Sequence, residues 1–200
     1  AAAAGMSAQG IAFNEVGRRA IIGDPLWRGG DYAEGDPPAH GLSLARMIGH
    51  ITYLSEEAMH RKFGRRRLAE GAGASFGREF EVEDYLRAQG DKFVRRFDAN
   101  TYLYLTRAMD SFDLVADHGS LQNAFAACTA SFLVVSFRSD WLFPPAQSQA
   151  IVQALKRSGH DVAYANLESD QGHDSFLLSG NRLGDLLSGF FSRLHARSRP

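Results

Sequence analysis

The sequence has very little cysteine and no excess of charge of either sign. Cys128 is the one cysteine among 200 residues, so an internal disulfide and a zinc site built from cysteines are excluded. A reducing compartment is expected, with the cytoplasm as the default. The 22 basic and 23 acidic residues give a net charge of −1, so we expect no nucleic-acid partner.

Long hydrophobic runs are also absent from the sequence. No apolar segment approaches the about 20 residues that a membrane-spanning helix needs. Residues 132–137 (FLVVSF) form the clearest apolar run, and its length is that of a strand. No basic residue precedes the alanines at positions 1–4, and that run is too short for a signal peptide. We therefore expect no membrane association.

The first two thirds of the sequence carry apolar residues at helical spacing. Ser7 is predicted to cap a first helix, which Gly23 and Pro25 end. Ser55 and Asp98 are predicted to cap later helices. Because no strand pattern separates these helices, they must pack on one another or cover another element.

From residue 131 onward the pattern changes to β-α-β-α. Residues 132–137 are a continuous apolar run, which is typical of a buried parallel strand. A helix is predicted around residues 149–157, a second strand at 162–167 and a last helix over the apolar positions 183–194. The fold class is therefore α/β in this part of the chain.

Two loops that follow the predicted strands carry an acid and a histidine. Asp140 follows the first strand and His173 follows the second, and sites in open parallel sheets are built at that edge. A carboxylate that orients an imidazole is the Asp and His part of a Ser-His-Asp triad, in α/β-hydrolase order. Either residue alone could cap a turn or a helix. Asp174 could bind a substrate amine or cap a helix.

A convincing nucleophile for such a triad is missing. The pattern G-x-S-x-G occurs at residues 73–77, with Ser75 at its centre. A nucleophile elbow follows a buried strand and opens a helix, whereas Ser75 follows an arginine run and a loop rich in glycine and alanine. Cys128 is interpreted as a buried hydrophobe. The sequence therefore supplies a base and its orienting acid, with Ser75 as a disfavoured nucleophile.

Nine short segments, spread over nearly the whole chain, carry a family resemblance. In order, they are 7–9 (SAQ), 12–16 (AFNEV), 41–42 (GL), 45–53 (ARMIGHITY), 62–65 (KFGR), 89–93 (QGDKF), 96–100 (RFDAN), 139–141 (SDW) and 172–178 (GHDSFLL). The chain resembles the carboxyl-terminal half of the homoserine O-acyltransferases, α/β-hydrolase-fold enzymes of methionine biosynthesis. A string of motifs in one order is far more specific than any single motif.

The resemblance implies the carboxyl-terminal part of an α/β-hydrolase fold with a helical lid insertion. Residues 1–6 would be the end of a core strand, and residues 7–127 the lid, which would also form a homodimer contact. Residues 128–200 would be the β-α-β-α end of the hydrolase core. The family's nucleophile elbow and oxyanion hole lie before the matched segment. We therefore expect the chain to be a fragment whose catalytic serine lies upstream.

The resemblance also implies a ping-pong reaction that needs no metal or other cofactor. An elbow serine would take the acyl group from acyl-CoA, the co-substrate, and pass it to the hydroxyl of L-homoserine. On the matching positions, Asp140 and His173 would be the triad acid and base. Asp174 would bind the homoserine ammonium, and Arg46 would bind its carboxylate, unless Arg46 is simply a surface residue of a lid helix.

The acyl donor and the acceptor stay partly open. In the succinyl-using branch an arginine often stands two residues after the triad aspartate, and here that position is Leu142. Leucine cannot pair with a succinyl carboxylate, so acetyl-CoA is favoured, although Arg138 could substitute. Serine could replace homoserine, since one methylene is worth only about 1–3 kcal/mol. Two other functions stay open: a non-catalytic helical dimerisation module and an esterase that uses Ser75.

Overall fold

The computed structural model describes residues 3–33, 35–68, 77–178, 180 and 182–197. The described residues form two compact units. One unit, residues 5–112, is built from helices, and the other, residues 3–4 with 113–197, contains a parallel sheet. Within the described ranges, no helix is long and apolar enough to cross a membrane.

The helical unit begins its main helices where the sequence predicts caps. Ser7 Oγ accepts a hydrogen bond from Gly10 N at 3.1 Å, and Ser55 Oγ accepts one from Ala58 N at 3.0 Å. Asp98 likewise caps its helix. These three cap predictions are confirmed. The helices are α1 Ala8–Ile22, α2 Ala39–Tyr53, α3 Glu56–Phe63, α4 Glu81–Val94 and α5 Ala99–Ser111, with a 3-10 helix at Pro25–Gly30.

Two glycines allow the helices of this unit to cross in backbone contact. A Cβ added at Gly41 of α2 would lie 2.4 Å from the carbonyl oxygen of Ala20 in α1. A Cβ added at Gly90 of α4 would lie 2.1 Å from Ser43 Oγ in α2. Because real Cβ atoms cannot approach so closely, a larger residue would push the helices apart. The core around these crossings contains Ile21, Leu42, Ala45, Phe93 and Ala99.

A buried ion pair joins α1 to α5. Arg18 Nη1 lies 2.6 Å from Asp110 Oδ2, and both side chains are less than a tenth exposed. Asn14 Nδ2 donates to the other oxygen of Asp110 at 2.7 Å. Removing one partner of such a pair leaves an uncompensated buried charge, so the pair holds the two helices in one arrangement.

The second unit contains the two predicted strands, with the predicted limits. Strand β1, Phe132–Phe137, pairs in parallel with β2, Val162–Leu167, in a register that places Phe132 beside Val162. The helix between them begins at Pro145, earlier than predicted, because proline is favoured in a first helical turn. The helices are α6 Leu114–His118, α7 Leu121–Phe125, α8 Pro145–Arg157 and α9 Leu183–Arg197, with a 3-10 helix at Gly172–Leu177.

The boundary between the units differs from the sequence-based expectation. The predicted lid extends to residue 127, whereas the two compact units divide after residue 112, so the bounds of the lid stay a prediction. Phe125 of α7 packs edge-on against Phe132, with ring centroids 6.0 Å apart, and its carbonyl oxygen lies 3.0 Å from His160 Nε2. These contacts attach α7 to the sheet unit.

The first residues of the chain also contact this unit. Leu114 N donates a hydrogen bond to the carbonyl oxygen of Ala4 at 2.8 Å. Residues 1–2 lie outside the described part of the chain, and residues 3–6 contain no extended strand. The core-strand end expected at residues 1–6 therefore stays a prediction.

Candidate active site

The ends of the two strands bring Asp140 and His173 into contact. Asp140 lies three residues after the last residue of β1, and His173 is the second residue of the 3-10 helix that follows β2. Asp140 Oδ2 lies 2.9 Å from His173 Nδ1. A carboxylate can only accept a hydrogen bond, so the contact places the ring hydrogen on Nδ1 and makes Nε2 the basic nitrogen.

The second oxygen of Asp140 is held by the backbone of its own loop. Oδ1 accepts hydrogen bonds from Leu142 N at 3.1 Å and from Phe143 N at 2.9 Å. Asp140 is only 8% exposed. One oxygen thus fixes the turn after β1 while the other orients the imidazole, so the structural and the catalytic interpretation of Asp140 apply together.

Three serines with no predicted role hold the histidine loop. Gly172 N donates to Ser139 Oγ at 2.9 Å, which ties this loop to the end of β1. Ser175 Oγ donates to the carbonyl oxygen of Gly172 at 2.6 Å and lies 2.8 Å from Ser169 Oγ. Gly172 has a φ of 78°, a left-handed conformation that favours glycine. Ser139 and Ser169 each lie two residues after the last residue of a strand, and this shared position is the sequence signal for the network.

The imidazole of His173 forms part of the wall of a small cavity. Its ring centroid lies 5.2 Å from that of Phe143 and 5.8 Å from that of Phe176. The cavity has a volume of about 190 Å³, which is below the usual range for drug-sized ligands and suits a small reacting group. The described residues that line it are Val135, Ser136, Phe137, Asp140, Phe143, Ser148, His173, Phe176 and Leu183.

The other two predicted site residues of this unit lie close to the pair in sequence. Asp174 follows His173 in the 3-10 helix and is half-buried. Leu142 is half-buried as well, and its backbone N–H binds Asp140. The described lining of the cavity includes Phe143 rather than Leu142 or Asp174. Roles for Asp174 in ammonium binding and for Leu142 in acyl specificity stay predictions.

Arg46 belongs to helix α2 of the helical unit. Its guanidinium carbon lies 4.8 Å from the Phe93 ring centroid and 5.4 Å from that of Tyr53. Its Nη1 donates a long hydrogen bond of 3.4 Å to Tyr53 Oη. No carboxylate of the described residues forms an ion pair with Arg46, which suits a role in binding an anion. Tyr53 was not predicted as a site residue.

The alternative nucleophile lies outside the described residues. Ser75 and residues 73–76 of its G-x-S-x-G pattern are not among them, so its role stays a hypothesis. In the part of the chain that the structure describes, no group of three or more His, Cys, Asp or Glu side chains could hold a metal ion.

Comparison with known proteins finds homoserine O-acetyltransferases as relatives of this chain. A homoserine O-acetyltransferase of Solidesulfovibrio magneticus is 55% identical over 192 residues, which cover 94% of this chain and 48% of the relative. Over 94% of its length, the chain is similar to this homoserine O-acetyltransferase. No family model matches the chain. The chain spans about half the length of the curated relatives it matches.

Solved structures support the same fold. A homoserine O-acetyltransferase from Bacillus anthracis superimposes with a TM-score of 0.77 at 22% identity, covering 86% of this chain and 46% of that chain. MGS-M2, an α/β-hydrolase enzyme from a deep-sea metagenome library, superimposes with a TM-score of 0.57 at 12% identity, covering 100% of this chain and 55% of that chain. The predicted class, part of an α/β-hydrolase fold, is therefore confirmed.

Proposed function

We propose that the protein transfers an acetyl group from acetyl-CoA to the side-chain hydroxyl of L-homoserine. The observation that carries this proposal is the contact of 2.9 Å between Asp140 Oδ2 and His173 Nδ1, at successive strand ends of an α/β-hydrolase fold. The homoserine O-acetyltransferases that match at 55% identity support the choice of acetyl group and acceptor.

The first half-reaction would form an acyl-enzyme. His173 Nε2 takes the proton of a serine hydroxyl, and the serine oxygen attacks the thioester carbonyl of acetyl-CoA. The C–S bond then breaks, and the CoA thiolate takes the proton from the imidazolium. Asp140 stabilises the imidazolium and keeps its ring oriented. The serine would come from the part of the relatives' length that this chain does not cover.

The second half-reaction would return the serine. His173 takes the proton of the homoserine hydroxyl, whose oxygen attacks the acyl-serine ester, and the departing serine oxygen receives the proton back. Arg46 would bind the homoserine carboxylate, and Asp174 its ammonium group. No step in this sequence requires a metal or a redox cofactor.

The proposal also includes a homodimer, a role in methionine biosynthesis and a cytoplasmic location. Helices α1 and α5 carry exposed apolar side chains, among them Val16, Tyr104, Leu105 and Met109, and burying them against a second copy would give a homodimer through the helical unit. The product is an activated homoserine ester, which suits methionine biosynthesis, and the low cysteine content suits the cytoplasm.

The test is an assay of CoA thiol release from acetyl-CoA in the presence and absence of L-homoserine. It uses the complete natural polypeptide, or this chain co-expressed with the amino-terminal half of a relative. We expect homoserine-dependent release, a lower rate with succinyl-CoA and a loss of about 10³-fold or more in His173→Ala. His195→Ala, a histidine in the last turn of α9, is the matched control.

Two results would contradict the proposal. One is a failure of acetyl transfer in a folded complete polypeptide, which would favour the non-catalytic dimerisation module. The other is equal activity of the wild type and His173→Ala. Labelling of Ser75 by an activated phosphonate would instead support the esterase.

A further inference from the structure

Three cations of the helical unit lie around one buried histidine. Arg46 and His50 are on α2, Lys62 is on α3, and Arg96 follows α4. Burial, together with the charges of Arg46, Lys62 and Arg96, lowers the pKa of His50 to about 4. We call Arg46, Lys62 and Arg96 the cationic cluster. Among the described residues, no member of the cluster forms an ion pair with a carboxylate.

A continuous set of ring contacts connects the cluster to His50. Lys62 Nζ lies 4.3 Å from the centroid of the Tyr85 ring, and Tyr85 Oη lies 3.1 Å from His50 Nδ1. On the other side, the rings of His50 and Tyr53 are 5.5 Å apart, and Arg46 lies over Tyr53.

Arg96, the third cation, contacts the same aromatic ring as Arg46, that of Phe93. The guanidinium carbons of Arg46 and Arg96 lie 4.8 Å and 5.4 Å from the centroid of its ring. Aromatic faces attract these cations but do not neutralise them. The cluster therefore keeps its full positive charge within the described part of the unit.

Two polar atoms of this arrangement are buried and have no hydrogen-bond partner among the described residues. They are Nε2 of His50, whose side chain is nine-tenths buried, and Nε of Arg46. A buried polar atom that lacks a hydrogen bond costs about 1–3 kcal/mol, so a ligand that contacts Arg46 or His50 would recover part of this cost. Lys62 and Arg96 are exposed, which leaves their charges accessible from solvent.

We propose that Lys62 and Arg96, the two exposed members of the cluster, form a binding site for phosphate groups. A single carboxylate carries one negative charge on two oxygens, and one arginine guanidinium can bind both of them. Lys62 and Arg96 are two exposed cations that form no ion pair among the described residues, and together they match the several negative charges of a phosphate ester or anhydride. Acyl-CoA is one source of such groups, and naming it rests on the proposed function, whereas free pyrophosphate would be the other.

Binding measurements on the complete natural polypeptide test this site. Isothermal titration uses CoA, inorganic pyrophosphate, pantetheine, which carries no phosphate, and succinate, which carries carboxylates only. The double variant Lys62→Gln/Arg96→Gln is compared with Arg95→Gln, which removes an exposed positive charge beside the cluster. Circular dichroism verifies that each variant is folded.

We expect the double variant to weaken binding of CoA or pyrophosphate about tenfold or more, with little change in Arg95→Gln. Tighter binding of CoA than of pyrophosphate would identify the co-substrate as the source, and the reverse would identify free phosphate. Equal losses in both variants, equal binding of succinate or pantetheine, or no binding of either phosphate compound would overturn the proposal.

The outcome is separable from that of the proposed function. Acetyl transfer with unchanged phosphate binding in the double variant would refute the phosphate site alone. Phosphate binding that depends on Lys62 and Arg96, in a polypeptide that transfers no acetyl group, would refute the proposed function alone.

Discussion

Asp140 forms both local hydrogen bonds, within its own turn, and a long-range contact, with His173. Its Oδ1 accepts two backbone N–H groups of the turn after β1, while its Oδ2 contacts His173, 33 residues later in the chain. The turn holds the carboxylate through hydrogen bonds that do not involve the histidine. A substitution that keeps the shape of the side chain therefore separates these two roles.

We predict that Asp140→Asn lowers kcat for acetyl transfer by about 10³–10⁴-fold, because an amide can donate to Nδ1 and favour the wrong tautomer. The turn should survive, since the amide oxygen can still accept from the Phe143 N–H. Asp170→Asn, an exposed carboxylate bonded to Gln171, is the control. Initial rates and thermal unfolding check both variants, and equal rates would refute the role of Asp140.

His50 gives a prediction about pH and stability. Its pKa in the folded protein is about 4, below the value of about 6.5 for an unfolded chain. Between these values the unfolded state binds more protons, so the free energy of unfolding falls as the pH decreases from about 6.5 to 4. We expect a smaller decrease in His50→Gln, measured by urea unfolding across this range. Parallel curves would contradict the assignment.

At the level of elements, helix crossings depend on glycine more than on apolar spacing. The apolar residues of α2 recur at helical spacing, which predicts an amphipathic helix. This spacing alone does not show that Gly41 lies against the Ala20 carbonyl group. That proximity arises only when α1 and α2 pack together. Short helices are also difficult to place from sequence. Helices α6 and α7 have only five residues each, which is too few for apolar periodicity to show which unit they join.

We predict that Gly41→Ala destabilises the protein by about 1–3 kcal/mol, because the backbones of α1 and α2 must separate. Gly189→Ala, in α9, is the matched control, since an added Cβ there meets nothing within 4 Å. Helix propensity should make that variant up to about 1 kcal/mol more stable. Denaturant unfolding measures both changes, and effects of the same sign would count against the packing argument.

At the scale of the whole molecule, the described residues leave much apolar surface uncovered. Tyr104 is 79% exposed, Leu177 67% and Phe191 62%. The described sheet has only two strands, so each strand has an edge without a neighbouring strand in the described part of the chain. Exposed edges and apolar faces promote association between chains.

We predict that the isolated 200-residue chain self-associates and lacks a sharp thermal transition. Co-expression with the amino-terminal half of a relative should restore a cooperative transition, and Phe191→Asp should reduce association of the isolated chain. Light scattering and calorimetry provide the measurements. A monomeric chain with a cooperative transition would show that the uncovered surface is tolerated.

The sequence by itself determined the helical first part, both strands with their limits, and the order of Asp140 and His173, because apolar periodicity and strand-end positions are local properties. Its motifs also predicted the relatives that the comparisons find. Only the tertiary structure decided that Oδ2 of Asp140 contacts the imidazole, that serines tie the two loops together, and that α6 and α7 join the sheet unit. It also decided that three cations with no ion pair among the described residues gather around His50. Such contacts join residues far apart in sequence, and packing creates them when the elements assemble.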